Sequence, residues 1–430
     1  METKALAPTN WKPSFFSLWG AQAFSLLGSR IAGFALIWWL TQTTGSATVL
    51  AMATLISMLP QILLSPIAGA LVDRLSRRWV MVAADGAVAL VSLWLGYLFW
   101  AGAMQPWHVV VIMVGREIGG CFHFPAMQAS TSLMVPKEQL ARISGMNQLL
   151  QGLMAVICPP LGALLLTVLP LHGIMGVDVA TAALAIVPLL FIAVPQPAVA
   201  ADAPRSNVWQ DLRAGLRYVA GWPGLCLVGV IATLINLLLM PAFSLTPILV
   251  TKHFGGQAPQ LAGLESALGI GMIAGGLTLS AWGGFRRRML TSMAGLAGMG
   301  LALSLVGFAP ASLLPLAVAG MFLCGFCMPL VNGPLFAAIQ ATVAPEMQGR
   351  IFTLLMSASA AAAPLGLAVA GPVADGAGVG VWFLASGIVC VTLAAGSLFL
   401  PALMQLEDNN RAAALQAADQ GLDAGMVPQA

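Results

Sequence analysis

Apolar runs long enough to cross a membrane fill most of this sequence. A soluble fold would expose large apolar surfaces, because 59% of the 430 residues are hydrophobic and only 8% are charged. We therefore expect an all-α membrane protein of about twelve transmembrane helices. The predicted spans are 14–41, 46–71, 79–102, 106–127, 141–169, 173–194, 223–250, 260–281, 289–308, 312–339, 351–371 and 380–402.

The spans form two sets of six on either side of a polar interior segment. In that segment Leu212, Leu216 and Val219 share one face of a predicted amphipathic helix, which is typical of an interfacial linker. The expected divisions are an N-terminal tail at 1–13, a six-helix bundle at 14–194, the linker at 195–222, a second bundle at 223–402 and a C-terminal tail at 403–430.

The distribution of basic residues predicts the orientation. If both termini are cytoplasmic, 15 of the 18 Lys and Arg residues lie on the cytoplasmic side, with only Lys252 outside and Arg30 and Arg116 inside spans. This asymmetry obeys the positive-inside rule. The first span is too long for the apolar region of a secretory signal, so we expect it to be retained. The net charge of +3 gives no reason to expect a nucleic-acid partner.

The two halves also share short sequence matches in the same order. Glu138 to Ile143 resembles Glu346 to Ile351 at a spacing of 208 residues, and Pro160-Leu-Gly162 matches Pro364-Leu-Gly366 at a spacing of 204. Such matches are typical of a parallel internal repeat, which places a substrate site between the halves near the membrane midplane.

The sequence predicts neither a metal site nor an organic cofactor. All six cysteines lie in apolar stretches, where a thiol behaves as a small buried hydrophobe. No Gly-x-x-x-x-Gly-Lys phosphate-binding loop is present, so ATP hydrolysis by that route is not expected. An enzyme is therefore not predicted.

Ionisable side chains within the spans are costly to place in a membrane and are therefore functional candidates. They also argue against a membrane scaffold or sensor, which has little reason to keep them. These residues are Arg30, Asp85, Arg116, Glu117, Asp178 and Glu265.

The loop after the second span resembles the major facilitator superfamily signature G-x-x-x-D-R-x-G-R-R/K. It reads Gly69-Ala-Leu-Val-Asp73-Arg74-Leu-Ser-Arg77-Arg78, with Ser76 at the position of the second glycine. The resemblance implies a conformational latch, in which the carboxylate caps a helix and the arginines bind acidic or carbonyl groups. The equivalent loop of the second half keeps the basic run, Arg286 to Arg288, but lacks the Asp-Arg pair.

Two further elements are similar to those of this superfamily. Arg116 to Gly120 is similar to its R-x-x-x-G element in the fourth helix. In the fifth helix, Cys158-Pro159-Pro160-Leu161-Gly162-Ala163 is similar to the G-P-x-x-G-G element of drug/proton antiporters, with Cys158 and Ala163 replacing glycines. Pro159 and Gly162 still predict a bendable, closely packed helix.

Across nearly its whole length the chain resembles the bacterial macrolide-efflux (Mef-type) exporters. This resemblance implies the major facilitator fold, with two pseudo-symmetric six-helix bundles, in a monomer of the bacterial inner membrane. The matching segments are Asn10-Trp-Lys, Gly20-Ala-Gln-Ala, Leu40-Thr-Gln-Thr-Thr-Gly-Ser-Ala, Leu71-Val-Asp-Arg, Ala84-Asp85, Phe122-His-Phe-Pro-Ala126, Val135-Pro-Lys-Glu-Gln-Leu and Gln348-Gly-Arg350.

The same resemblance implies proton-coupled export of a small-molecule drug, most of all a macrolide antibiotic. An apolar cavity with flexible methionines and a few carboxylates suits a large amphipathic cation. Export of a siderophore or another metabolite on the same fold, and facilitated uptake, remain alternatives. The proton gradient would replace any bound cofactor.

For the charged groups, the leading hypothesis is that Glu117 carries the proton under the control of Arg30 or Arg116, which the resemblance places at the cavity. The alternative is a static buried salt bridge. Asp85 is expected to join the latch arginines, with a proton role as the alternative. Asp178 and Glu265 are expected near outer helix ends as solvated carboxylates, although Glu265 is also a candidate for a cationic substrate or for proton exchange.

Overall fold

The computed structural model describes residues 11–72, 75–192, 219, 221–343 and 345–404. Twelve of its helices are long and apolar enough to cross a membrane, and the described part of the chain contains no strand, so the all-α prediction is confirmed. The helices are α1 Trp11–Thr44, α2 Ala47–Val72, α3 Arg77–Trp100, α4 Pro106–Met134, α5 Leu140–Val168, α6 Leu171–Phe191, α7 Pro223–Ser244, α8 Ala258–Trp282, α9 Arg288–Phe308, α10 Leu314–Thr342, α11 Pro345–Ala377 and α12 Val379–Leu398.

The helix ends follow local sequence chemistry. Pro106 opens α4, where proline loses no helical hydrogen bond, and Gly283 ends α8 with φ at 78°, a left-handed conformation that favours glycine. The predicted seventh span extends too far, because α7 ends at Ser244 and the chain continues through a short turn and the π-helical turn Leu249–His253. The predicted amphipathic helix of the linker lies outside the described residues.

Each half packs as its own bundle. In the first half α1 and α3 pack against α6 and α4 against α2 and α3, while in the second half α10 packs against α8 and α9. Across the halves the principal packing pairs are α2 with α11 and α5 with α8. The two pairs are equivalent under the internal repeat, because α8 is the counterpart of α2 and α11 is the counterpart of α5.

The two ends of the bundle differ in how the halves meet. We call the end that carries Arg77, Arg78 and Arg286 to Arg288 the arginine-rich end and the opposite end the distal end. Hydrogen bonds between the halves join Asp375 to residues 46–48 at the distal end, Thr54 to Ser244 and, nearer the middle, Ser266 to the carbonyl oxygen of Val156. At the arginine-rich end, Arg77 and Arg78 donate hydrogen bonds to backbone oxygen atoms of the first half.

Glycines fix the rotation of α8 about its axis. A Cβ added to Gly271 would lie 2.1 Å from the carbonyl oxygen of Phe322, and one added to Gly325 would lie 2.0 Å from that of Leu268, so α8 and α10 approach too closely for any side chain there. On another face, Ser266 and Gly269 lie against α5. The face of α8 between these two contacts therefore looks into the interior between the halves.

Candidate functional site within the helix bundle

Four helices of the first half meet at a buried charge cluster around Asp178. The Asp178 carboxylate accepts hydrogen bonds from Arg116 at 2.5 Å, from Ser92 at 2.6 Å and from Ser29 at 3.0 Å. Arg116 also donates to Ser92 and to the backbone oxygen of Ser29, both at 3.0 Å. The cluster thus links α1, α3, α4 and α6.

Asp178 therefore corrects one prediction. It was expected as a solvated carboxylate near a helix end, yet its side chain is only 1% exposed and forms an ion pair with Arg116. Asp178 lies seven positions after Leu171, the first residue of α6, so it lies roughly 10 Å inside the helix. At that depth a carboxylate needs a cation and several donors, which the cluster supplies.

Close packing of α1 on α6 places Ser29 in the cluster. A Cβ at Gly28 would lie 2.0 Å from the Thr181 hydroxyl oxygen, so only glycine fits without a shift of that side chain. The neighbouring Ser29 then reaches Asp178. Gly28, Ser29 and Ser92 were not predicted as site residues, because nothing in the sequence shows which helices face each other.

Glu117 stands apart from this cluster. Arg116 directs its guanidinium toward α1, α3 and α6, whereas Glu117 lies about 100° around α4 and is exposed. The exposed residues Gly120 and Phe124 continue the same side of the helix as Glu117. Within the described part of the chain, Glu117 has no hydrogen-bond or ion-pair partner. The predicted control of Glu117 by Arg116 is thus not a direct ion pair in this structure.

Arg30 occupies a separate place between α1 and α5. Its guanidinium donates to the side-chain oxygen of Gln151 at 2.6 Å, and Arg30 itself is exposed. A charged side chain at this depth in a membrane needs water or a polar cavity around it. Arg30 therefore has a polar partner between α1 and α5, and its role in proton coupling stays a prediction.

Asp85 does not join the predicted latch. Its carboxylate accepts a hydrogen bond from Gln22 of α1 at 2.9 Å and lies 3.4 Å from the Nε2 atom of His123 of α4. Asp85 is 8% exposed, so it lies among helices rather than at the loop. The prediction failed because Asp85 lies two turns inside α3, facing α1 and α4 instead of the arginine-rich end.

Glu265 faces the interior between the halves. Its position on α8 lies between the face that packs on α10 and the face that packs on α5, while the exposed Ile270 and Leu277 lie on the opposite side. The side chain is half-buried and has no hydrogen-bond or ion-pair partner among the described residues. Its expected position at a solvated helix end is therefore wrong, but its candidacy for binding a cation remains.

Two arginines of the latch bind backbone oxygen atoms of the first half. Arg77 is buried and donates to the backbone oxygen of Ala129 on α4 at 2.9 Å. Arg78 donates to the backbone oxygen of Leu190 on α6 and lies over the Trp79 ring. Gly69 lies in α2, whereas Asp73 and Arg74 lie outside the described residues.

The helix-five element packs against α1. Cys158 and Pro159 are buried, and a Cβ at Gly162 would lie 2.7 Å from the Phe34 ring. Gly162 therefore allows α5 to approach α1 closely, as its sequence pattern predicts.

Charged groups of the bundle thus divide into two kinds. Asp178 and Arg116 neutralise each other, and Asp85 and Arg30 have polar partners. Glu117 and Glu265 have no partner in the described residues, and each can take up either a proton or a cationic group. One such carboxylate lies in each half of the molecule.

Comparisons with known proteins agree with this architecture. The family model described as Major Facilitator Superfamily matches residues 18–367. Macrolide efflux protein A of Streptococcus pyogenes is 33% identical over 386 residues, covering 89% of this chain and 95% of that protein. The multidrug efflux pump Tap of Mycolicibacterium fortuitum is 28% identical over 88% of this chain and 94% of its own.

Solved structures resemble the fold at low sequence identity. A bacterial homologue of the human lysosomal transporter Spinster, in an inward-facing and unoccupied conformation, matches with a TM-score of 0.69 and 12% identity over 93% of this chain and 98% of that one. A D-xylose–proton symporter matches with a TM-score of 0.64 and 13% identity over 89% and 95% of the two chains.

Proposed function

Because the chain belongs to the major facilitator superfamily, a family of transporters rather than enzymes, we propose that it exports amphipathic drugs in exchange for protons. Macrolide antibiotics are the proposed main substrates. The observation that carries this proposal is the likeness to macrolide efflux protein A, which extends through both halves of the chain.

The distribution of charge supports a cationic substrate. Glu117 and Glu265 are carboxylates without partners, and Glu265 faces the interior between the halves. A macrolide that carries an amino sugar combines one positively charged amine with a large apolar body. Apolar burial would supply affinity and a carboxylate would bind the amine.

Proton exchange would follow from competition for the same carboxylate. Because Asp178 holds Arg116, the Glu117 carboxylate is free to bind either a proton or the substrate amine. Binding of one would then release the other, which is the requirement for antiport. Glu265 is the second candidate for this role.

The proposed orientation places the arginine-rich end and both termini in the cytoplasm, in a monomer of the inner membrane. Substrate would enter from the cytoplasm between the two halves. The hydrogen bonds at the distal end would close the opposite route.

The decisive experiment is accumulation of a labelled macrolide in drug-sensitive cells with and without the protein. We expect lower accumulation and higher resistance in expressing cells, with both effects lost when a protonophore is added. A matched control is Glu117→Gln, which keeps the side-chain shape but cannot release a proton. Unchanged macrolide accumulation together with export of an anionic catechol siderophore would show that the chain is an exporter with a different substrate.

A further inference from the structure

Asp375 of α11 caps the start of α2, a helix of the other half. Its carboxylate accepts hydrogen bonds from the backbone N–H of Ala47 and of Thr48, at 2.8 and 2.9 Å, and from the Ser46 hydroxyl at 2.8 Å. The Lys252 ammonium lies 3.7 Å from the same carboxylate. We call these contacts the distal clasp.

The first turn of a helix has N–H groups without helical partners and carries a partial positive charge. In α2 the Ser46 hydroxyl accepts from the Val49 N–H at 3.2 Å, which satisfies one of these groups locally. The N–H groups of Ala47 and Thr48 instead depend on a carboxylate from the second half. The cap of α2 is therefore complete only while the halves touch.

A glycine allows this contact. Gly371 lies one turn before Asp375, and a Cβ there would lie 2.7 Å from the Thr48 Cα atom and 3.1 Å from the Ala51 Cβ atom. The backbones of α2 and α11 can meet only because Gly371 has no side chain. Close backbone packing and the charged cap thus belong to one interface.

We propose that Asp375 is a positioning residue for transport, which favours the state with the distal end closed through the cap on α2. This inference rests on the proposed function, because a transporter must open its distal end to release substrate. When α2 separates from α11, Asp375 loses its three hydrogen-bond donors, and the N–H groups of Ala47 and Thr48 can then bond only to water. An interaction that is present in only one of two states changes the free-energy difference between those states by the free energy of the interaction.

The size of the effect follows from helix capping. Removal of a cap costs about 1 kcal/mol, which is roughly a fivefold change in an equilibrium constant. Lys252 contributes less, because its side chain is 54% exposed and exposed ion pairs are weak. Asp375→Ala is therefore expected to raise the ratio of open to closed distal ends about fivefold, and Lys252→Gln less than about twofold.

The test uses the full chain in lipid nanodiscs. Spin labels are placed at Thr43 and Ser312, which are exposed at the distal end of the first and second halves. Cys226, the exposed native cysteine, is replaced by serine. The ratio of long to short distances between the labels is measured for the parent, Asp375→Ala, Asp375→Asn and Lys252→Gln. Asp375→Asn should give an intermediate ratio, because the amide retains one acceptor oxygen.

A second measurement detects a rare open state. In the protein without spin labels, Thr54→Cys places a thiol of similar size beside Ser244, at the contact between the halves. Its rate of reaction with a thiol reagent, relative to that of Ser312→Cys, reports how often the distal end opens. Asp375→Ala should accelerate this reaction about fivefold. Folded protein is selected by gel filtration, so lost stability does not produce the signal.

Unchanged distances and an unchanged Thr54→Cys rate in Asp375→Ala would overturn the proposal, and so would an equal effect of Lys252→Gln. Neither measurement uses a macrolide or a proton gradient. If the parent fails to export macrolides while Asp375→Ala still shifts both readouts, the proposed substrate is wrong and the distal clasp stands.

Discussion

Asp178 and Arg116 form a buried ion pair with a separation of 2.5 Å, while Glu117, the chain neighbour of Arg116, is excluded from it. Two adjacent charged residues of α4 therefore have different surroundings. Arg116 is enclosed among helices of the first half, and Glu117 remains available to a proton or a ligand. The first two predictions separate these roles.

Asp178→Asn should destabilise the protein, because it leaves the Arg116 guanidinium without its counter-charge. Loss of one partner of a buried pair costs about 3 kcal/mol, although the 14% exposure of Arg116 reduces this cost. Thermal unfolding of the purified protein should show a lower midpoint for Asp178→Asn than for Glu117→Gln. The combined change Arg116→Met with Asp178→Leu should recover part of the loss. Equal midpoints for the two single variants would contradict the assignment.

Glu117→Gln should abolish macrolide accumulation against a gradient while it retains some macrolide binding. The amide keeps the shape of the carboxyl group but cannot cycle a proton. Transport is measured in vesicles with an imposed pH gradient, and binding by equilibrium dialysis of the same preparation. If this variant pumps as well as the parent, Glu265 becomes the leading candidate for the proton carrier.

Asp73→Asn should lower transport more than it lowers the amount of protein in the membrane, because the latch is expected to bias two states rather than to hold the fold. Arg77→Ala should lower both, since Arg77 is buried and bonded to Ala129. Immunoblotting of membranes and macrolide export from the same cells measure the two quantities. Normal turnover in Asp73→Asn would exclude the latch.

Cysteines introduced beside Lys252 should react with an impermeant thiol reagent added outside intact cells, whereas ones beside Arg77, Arg213 and Arg287 should react only after the cells are opened. The reason is the strong excess of basic residues at one end of the bundle. Labelling from outside beside Arg213 would show that the two sets of six helices do not both cross the membrane as proposed.

Helix number and type were predictable from sequence, because an apolar run of the right length leaves few other structures in a membrane. The matches at 138–143 and 346–351 likewise predicted two related halves. The partners of Asp178 and Asp85 were not predictable in the same way. Helical spacing gives the depth of each carboxylate, but its partners Ser29, Ser92, Gln22 and His123 come from other helices.

The contact between Ser266 and Val156 has a mechanical consequence. The Ser266 hydroxyl donates to the backbone oxygen of Val156 where α8 packs on α5, and a single bond of this kind would let the two helices tilt about the contact as about a fulcrum. Ser266 is eight residues from Ala258 at the distal end, which places the fulcrum roughly 12 Å below that end. A tilt of about 10° would then displace a point at the distal end by about 2 Å. Lengthening a hydrogen bond of 2.8 Å by that amount breaks it, so the same displacement at the contact between α2 and α11 would release all three hydrogen bonds of Asp375 together.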